Sequence, residues 1–134
     1  MMKKKIFFLT GKSGGFRAMM PLLKLLKKDN KISLKILVTD QHHNSTFGKT
    51  ASVINKNFGK KNIINIKINS NKDTAFNRSY SMSILSSNFS KIIKFDKPDL
   101  FLVYGDRLES LYTAACCLNF GIPICHFQGG DLSG

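Results

Sequence analysis

Short, almost wholly apolar runs alternate along the chain with longer stretches whose apolar residues recur at helical spacing. Residues 5–10 read as a strand buried on both faces. Residues 18–29 read as a helix, with Met19, Leu22, Leu23 and Leu26 on one face and Lys24, Lys27 and Lys28 opposite. Pro21 is expected in its first turn, where a missing N–H is tolerated. Residues 33–39 predict a second strand, residues 49–58 a short helix after a polar loop, and residues 63–68 a third strand. The longest helix is expected over 73–96, through Phe76, Tyr80, Ile84, Leu85, Phe89, Ile92 and Ile93, and Pro98 ends it. A fourth strand, 100–104, precedes a helix over 107–120 carried by Leu108, Leu111, Tyr112, Ala115 and Leu118. Gly121 is its expected C-terminal cap, and residues 122–127 form a fifth strand, with Pro123 tolerated at its start.

Strand–helix alternation with fully apolar strands predicts an α/β domain, a doubly wound, mainly parallel sheet of Rossmann-like type. Right-handed crossovers make the expected strand order 3-2-1-4-5. The winding then reverses between strands 1 and 4, and open sheets of this kind bind ligands there, beyond the carboxyl ends of the strands.

The 134 residues suit one domain, and 43% hydrophobic with 22% charged residues is ordinary globular composition. Lys and Arg number 21 against 8 acidic residues, a net charge of +13. The excess is scattered lysine, with arginine only at Arg17, Arg78 and Arg107, and no basic helix or basic–aromatic alternation accompanies it. That favours a compositional bias over a specific nucleic-acid surface, although anionic substrates would still be attracted. No apolar run reaches the ~20 residues of a membrane span. The apolar run 6–9 after Lys3, Lys4 and Lys5 is shorter than an export signal needs, so a cytoplasmic protein is expected. Cys116, Cys117 and Cys125 read as small core residues rather than a disulfide framework or zinc site, and no metal or cofactor is expected.

The unusual residues cluster where four strands end: residues 10–17 after the first, 39–43 after the second, 105–107 after the fourth and 126–131 after the fifth. All four would lie on one rim, where glycines admit close backbone approach and helix N-termini favour anions. Each cluster also has a plainer reading. Gly11-Lys12-Ser13 resembles the end of a P-loop, but Ile6 stands where the first glycine is required. Asp106 with Glu109 three residues on reads from spacing alone as a capping box ahead of a catalytic group. His42 and His43 read as polar loop residues, His126 as a packed core histidine, and Asp131 as a turn residue in a glycine loop.

Taken together the clusters are more specific than any one of them. Thr10-Gly11, Pro21, Thr39, His42, Phe47-Gly48, Pro98-Asp99, Gly105-Asp106-Arg107, Glu109, Ile122-Pro123, His126 and Gly129-Gly130 resemble the N-terminal half of a hydrolysing UDP-N-acetylglucosamine 2-epimerase. That group makes N-acetylmannosamine or a diamino-sugar analogue for nonulosonic acids such as sialic and legionaminic acid. The resemblance covers essentially the whole chain. It implies the N-terminal domain of a glycosyltransferase-B-like fold, residues 1–134 being that domain, truncated and without the C-terminal domain that grips UDP. It implies elimination of UDP across C1–C2 to a glycal, then addition of water with inversion at C2. By motif match Asp106 and Asp131 are the catalytic carboxylates, and Gly11, Ser13, His42 and Arg107 bind substrate. Two carboxylates on adjacent loops suit the removal of a weakly acidic C2 proton. Asp131 stands where relatives often carry Glu, and Ser13 where many carry Arg, with Arg17 a candidate replacement for that charge. The resemblance further implies a UDP-sugar partner, no specific nucleic acid or membrane partner, homo-oligomeric full-length relatives, and little or no turnover by these 134 residues alone. A nucleotide-sugar-binding module and a fragment of a non-hydrolysing epimerase are the alternative readings.

Overall fold

The computed structural model describes residues 1–39, 50–68, 72–130 and 132. Five strands form one parallel sheet: β1 (Lys4–Thr10), β2 (Ile32–Val38), β3 (Ile63–Asn65), β4 (Leu100–Tyr104) and β5 (Ile124–Phe127). Their order is β3-β2-β1-β4-β5, as the crossover rule required. Strand β1 is central, paired along its whole length with β2 and through Ile6–Phe8 with Leu100–Leu102 of β4. Phe7, Phe8, Ile36, Leu37 and Phe101 are fully enclosed, which is why these strands read as continuous apolar runs.

Helices α1 (Ser13–Lys28) and α2 (Thr50–Phe58) cover one face, where Phe16, Met19, Leu23, Ile54 and Phe58 pack on Phe8, Ile36 and Leu102. Helices α3 (Ala75–Phe95) and α4 (Leu108–Asn119) cover the other, where Met82, Leu85, Phe89, Ile93 and Cys117 pack on Phe7, Leu37 and Phe101. Thr74 caps α3 by accepting from the Asn77 N–H at 3.2 Å. Beyond α4, Gly121 adopts φ 61°, its N–H reaching the Leu118 carbonyl at 3.1 Å and that of Ile122 the Cys117 carbonyl at 2.9 Å. This is a Schellman termination, and the left-handed glycine makes it possible.

The structure corrects several expectations. Helix α1 begins at Ser13 rather than 18, so Pro21 is an internal helix residue and not a first-turn one. The two glycines after Ser13 are poor helix formers that hide this start, but burial of Phe16 fixes the first turn. Strands β3 and β5 are shorter than their apolar runs. On α3, Phe76 and Tyr80 do not enter the core; both are exposed and stack on each other with ring centres 5.9 Å apart. Helix α4 is turned the other way round from its apolar periodicity. Glu109, Ser110, Thr113 and Cys117 are buried, while Leu108, Leu111, Tyr112 and Leu118 are exposed. The inward polar groups are satisfied locally, the Thr113 hydroxyl donating to the Glu109 carbonyl at 2.6 Å. Burial and the neighbouring Cys116 push the Cys117 thiol up to about 12.

Candidate functional site

At the point where the winding reverses, the carboxyl ends of β1 and β4 leave a cleft of about 340 Å3. One wall is Thr10, Gly11, Lys12, Gly14 and Gly15, the turn from β1 into α1; the other runs from Tyr104 through Gly105, Asp106 and Arg107 to Ser110, the turn from β4 into α4. The walls approach closely because Gly15 has no side chain: a Cβ there would meet the Tyr104 ring at 3.0 Å. Gly105, at φ 75°, redirects the chain out of β4 so that Asp106 faces the cleft.

Among the described residues no side chain caps α1, and its first turn holds no acidic residue. Its opening N–H groups, with Lys12 beside them, give this wall a positive character that suits a phosphate or another anion. Asp106 is exposed on the facing wall, and no hydrogen bond or ion pair engages its carboxylate among the described residues. It does not form the capping box that its spacing suggests. Helix α4 starts one residue later, with Arg107 at the N-cap position and no side-chain cap. Glu109 instead lies buried and accepts two bonds from the Arg107 guanidinium, Nε to Oε2 at 3.1 Å and Nη2 to Oε1 at 2.8 Å. This fork holds the 105–109 turn rigid and leaves Asp106 at its tip.

A second bridge ties this turn to the end of β5. His126 is exposed, not packed in the core, and its Nε2 lies 2.7 Å from the Gly105 carbonyl. A carbonyl only accepts, so Nε2 carries the proton. The Tyr104 hydroxyl donates to Gln128 Oε1 at 2.8 Å, and Gln128 holds a left-handed φ of 53° that a side chain rarely adopts. Gly129 follows because a Cβ there would overlap the His126 ring. The His-x-x-Gly spacing thus has a steric cause.

Of the expected site residues, Gly11, Asp106 and Arg107 are brought together in this cleft. Ser13 is half-buried at the start of α1 and is not among the lining residues; Arg17 is exposed a turn further on, and Lys12 takes the place at the cleft. His42 and Asp131 lie outside the described residues. Lys12, Tyr104 and Ser110 were missed as lining residues, although Lys12 and Tyr104 flank glycines that mark the rim. Thr39, fully buried just after β2, has a hydroxyl with no hydrogen-bond partner among the described residues. Among the described residues no group of three or more His, Cys, Asp or Glu side chains could hold a metal.

The family described as UDP-N-acetylglucosamine 2-epimerase matches residues 24–134. Over 133 residues, 99% of this chain and 34% of the relative, the chain is 33% identical to a GDP/UDP-N,N'-diacetylbacillosamine 2-epimerase (hydrolyzing) of Campylobacter jejuni. It is 29% identical over 134 residues to the UDP-N,N'-diacetylbacillosamine 2-epimerase (hydrolyzing) of Legionella pneumophila, covering 99% of this chain and 35% of that one. A crystal structure of a UDP-N-acetylglucosamine 2-epimerase superposes with a TM-score of 0.80 at 24% identity, over all of this chain and 34% of that one. The chain therefore spans about a third of the length of the curated relatives it matches. With its reversal-point cleft and Gly-Asp-Arg turn, the chain belongs to the UDP-N-acetylglucosamine 2-epimerase family.

Proposed function

We propose that these residues are the N-terminal catalytic part of a hydrolysing 2-epimerase acting on UDP-N-acetylglucosamine or its diacetylbacillosamine analogue. The observation that carries this is the placing of an unengaged Asp106 carboxylate across one cleft from the uncapped start of α1 and Lys12. The cation and helix N-terminus attract the diphosphate side of the substrate. Asp106 moves a proton as UDP leaves across C1–C2, and water then adds to the resulting glycal with inversion at C2. Asp131 is the second carboxylate in this proposal, and His42 and Ser13 further substrate contacts. Gly11 and Arg107, which line the same cleft, are substrate contacts as well, while the His126 bridge acts through the geometry of the Asp106 turn.

The hydrolysing assignment is supported by the names of the two bacterial relatives, and the product would serve nonulosonic acid synthesis. Three unpaired thiols fit a reducing, cytoplasmic setting.

Because the chain spans a third of its relatives' length, binding is the direct test. Amide NMR signals of residues 11–16 and 104–110 should shift on adding UDP-N-acetylglucosamine or UDP. Asp106→Asn should keep the UDP response and change the sugar-dependent part. Signals in both walls that stay fixed at millimolar nucleotide sugar would overturn the reading.

A further inference from the structure

The five strands are parallel, so each helix that returns from one strand to the next ends beside the amino ends of the strands, on the rim opposite the cleft. Three helices finish there with a large apolar side chain held out in solvent. Leu25 in the last turn of α1 is 66% exposed, Phe95 at the end of α3 83% and Leu118 in the last turn of α4 73%. None of the three joins either core. Helix α1 lies on one face of the sheet and α3 and α4 on the other, so these side chains flank the rim from both sides.

The same rim gathers cations. Lys3, Lys28, Lys31, Lys60, Lys61 and Lys97 are all exposed there. Hydrogen bonds knit the segments that carry them: the Lys4 N–H donates to the Lys31 carbonyl at 2.8 Å, and Lys35 Nζ to the Lys61 carbonyl at 2.5 Å. Lys28 complements the negative end of the α1 dipole, but Lys3, Lys31 and Lys97 lie outside any helix, and the dipole does not account for them. The acids of this rim are already engaged. Asp29 accepts from the Lys31 N–H at 2.8 Å, Asp96 pairs with Lys5, and Asp99 accepts from the Lys5 N–H at 2.7 Å. No ion pair among the described residues takes up the six lysines. Phe95 stands between two further cations, Lys94 and Lys97, with Lys94 Nζ 5.7 Å from its ring centre.

This combination selects the partner. Lysines spread along a ledge without arginine are point charges, and they suit a plane of mobile anionic headgroups better than the fixed phosphates and base edges of a nucleic acid. Phenylalanine and leucine among them suit the boundary between headgroups and acyl chains. No helix among the described residues is long and apolar enough to cross a membrane, so the contact is peripheral. The residues that follow β5 set out from the opposite rim, away from this ledge.

We infer that the amino rim of the sheet is a docking surface for an anionic lipid bilayer: the lysines meet the headgroups, and Leu25, Phe95 and Leu118 enter the interface. The family resemblance implies no membrane partner, and the placement of these side chains departs from it; the inference is independent of the proposed chemistry. The cleft, on the far rim, then faces water. The 134-residue chain should sediment with vesicles of phosphatidylcholine containing phosphatidylserine, and not with phosphatidylcholine alone. Lys60→Glu with Lys61→Glu should weaken binding about thirtyfold or more and flatten its salt dependence. Lys67→Glu with Lys72→Glu makes the same change in net charge at exposed positions outside the rim and should cost far less. Phe95→Ser should weaken binding severalfold with the salt dependence unchanged, because its share is apolar. Lys28→Glu with Lys31→Glu repeats the rim test if the first pair fails to fold. Equal loss in the rim and control pairs would reduce the effect to overall charge and overturn the proposal. So would binding indifferent to phosphatidylserine, an inert Phe95→Ser, or rim variants that lose duplex DNA while keeping vesicles.

Discussion

Removing the Arg107 guanidinium tests the idea that the Asp106 turn is held by a largely buried ion pair. The Glu109 side chain is only 6% exposed, and Arg107→Ala deletes two of its charge-assisted bonds, at 2.8 and 3.1 Å. A fully buried pair broken on one side costs about 3–5 kcal/mol, and an exposed pair at most about 1. Arg107 is one-third exposed, so water replaces part of what is lost, and a cost of about 2–3 kcal/mol is expected. With a urea m-value of about 1–3 kcal/mol/M for a small domain, the unfolding midpoint should fall by about 0.7–3 M. Arg107→Lys should recover only part, since an ammonium cannot offer the same planar fork. The double variant Arg107→Ala/Glu109→Leu should be more stable than Arg107→Ala, because no buried carboxylate is then left behind. Arg78→Ala breaks the exposed Arg78–Asp73 pair and should leave the midpoint where it was. The reasoning fails if Arg107→Ala is as mild as Arg78→Ala, or if the double variant is no better than the single one.

Gly129→Ala should displace the His126 ring, so nitrogen NMR should report loss of the ordered Nε2–H tautomer while the sheet stays folded. Cys117 should resist alkylation at pH 8 far longer than Cys125. Its raised thiol also sets a sign for stability: below pH 9 the contribution is fully present, and it is lost between pH 9 and about 12 as the unfolded thiol ionises first. This can be read from unfolding midpoints of wild type against Cys117→Ala across that window. Gly14→Ala meets open space in a helical turn and should raise stability by about 0.5 kcal/mol, whereas Gly15→Ala presses on Tyr104 and should not; thermal unfolding separates the two.

The strand order and the location of the cleft were legible because they follow from burial of the strands on both faces and crossover handedness, which apolar runs and glycines record directly. The inversion of α4 was not. Periodicity identifies an apolar side but says nothing of whether polar residues opposite can be satisfied inside, as Thr113 is by its own helix and Glu109 by Arg107. The same limit hid the role of Glu109: a capping box and a side-chain fork share the Asp-Arg-Leu-Glu sequence, and they differ only in where α4 starts. His126 sits among apolar neighbours in β5, and only the position of the Gly105 carbonyl reveals that it bridges two loops.

The pairing of β1 with β4 has a kinetic consequence. Asp99 accepts from the Lys5 N–H at 2.7 Å across 94 residues of chain, and its own N–H returns to the Lys5 carbonyl at 2.8 Å. Strands β1 to β3 can associate through nearer contacts, but the two walls of the cleft come together only when this distant closure forms. During synthesis the half carrying Lys12 must wait for the half carrying Asp106. A ligand that binds across both walls would stabilise the closed pair against unfolding.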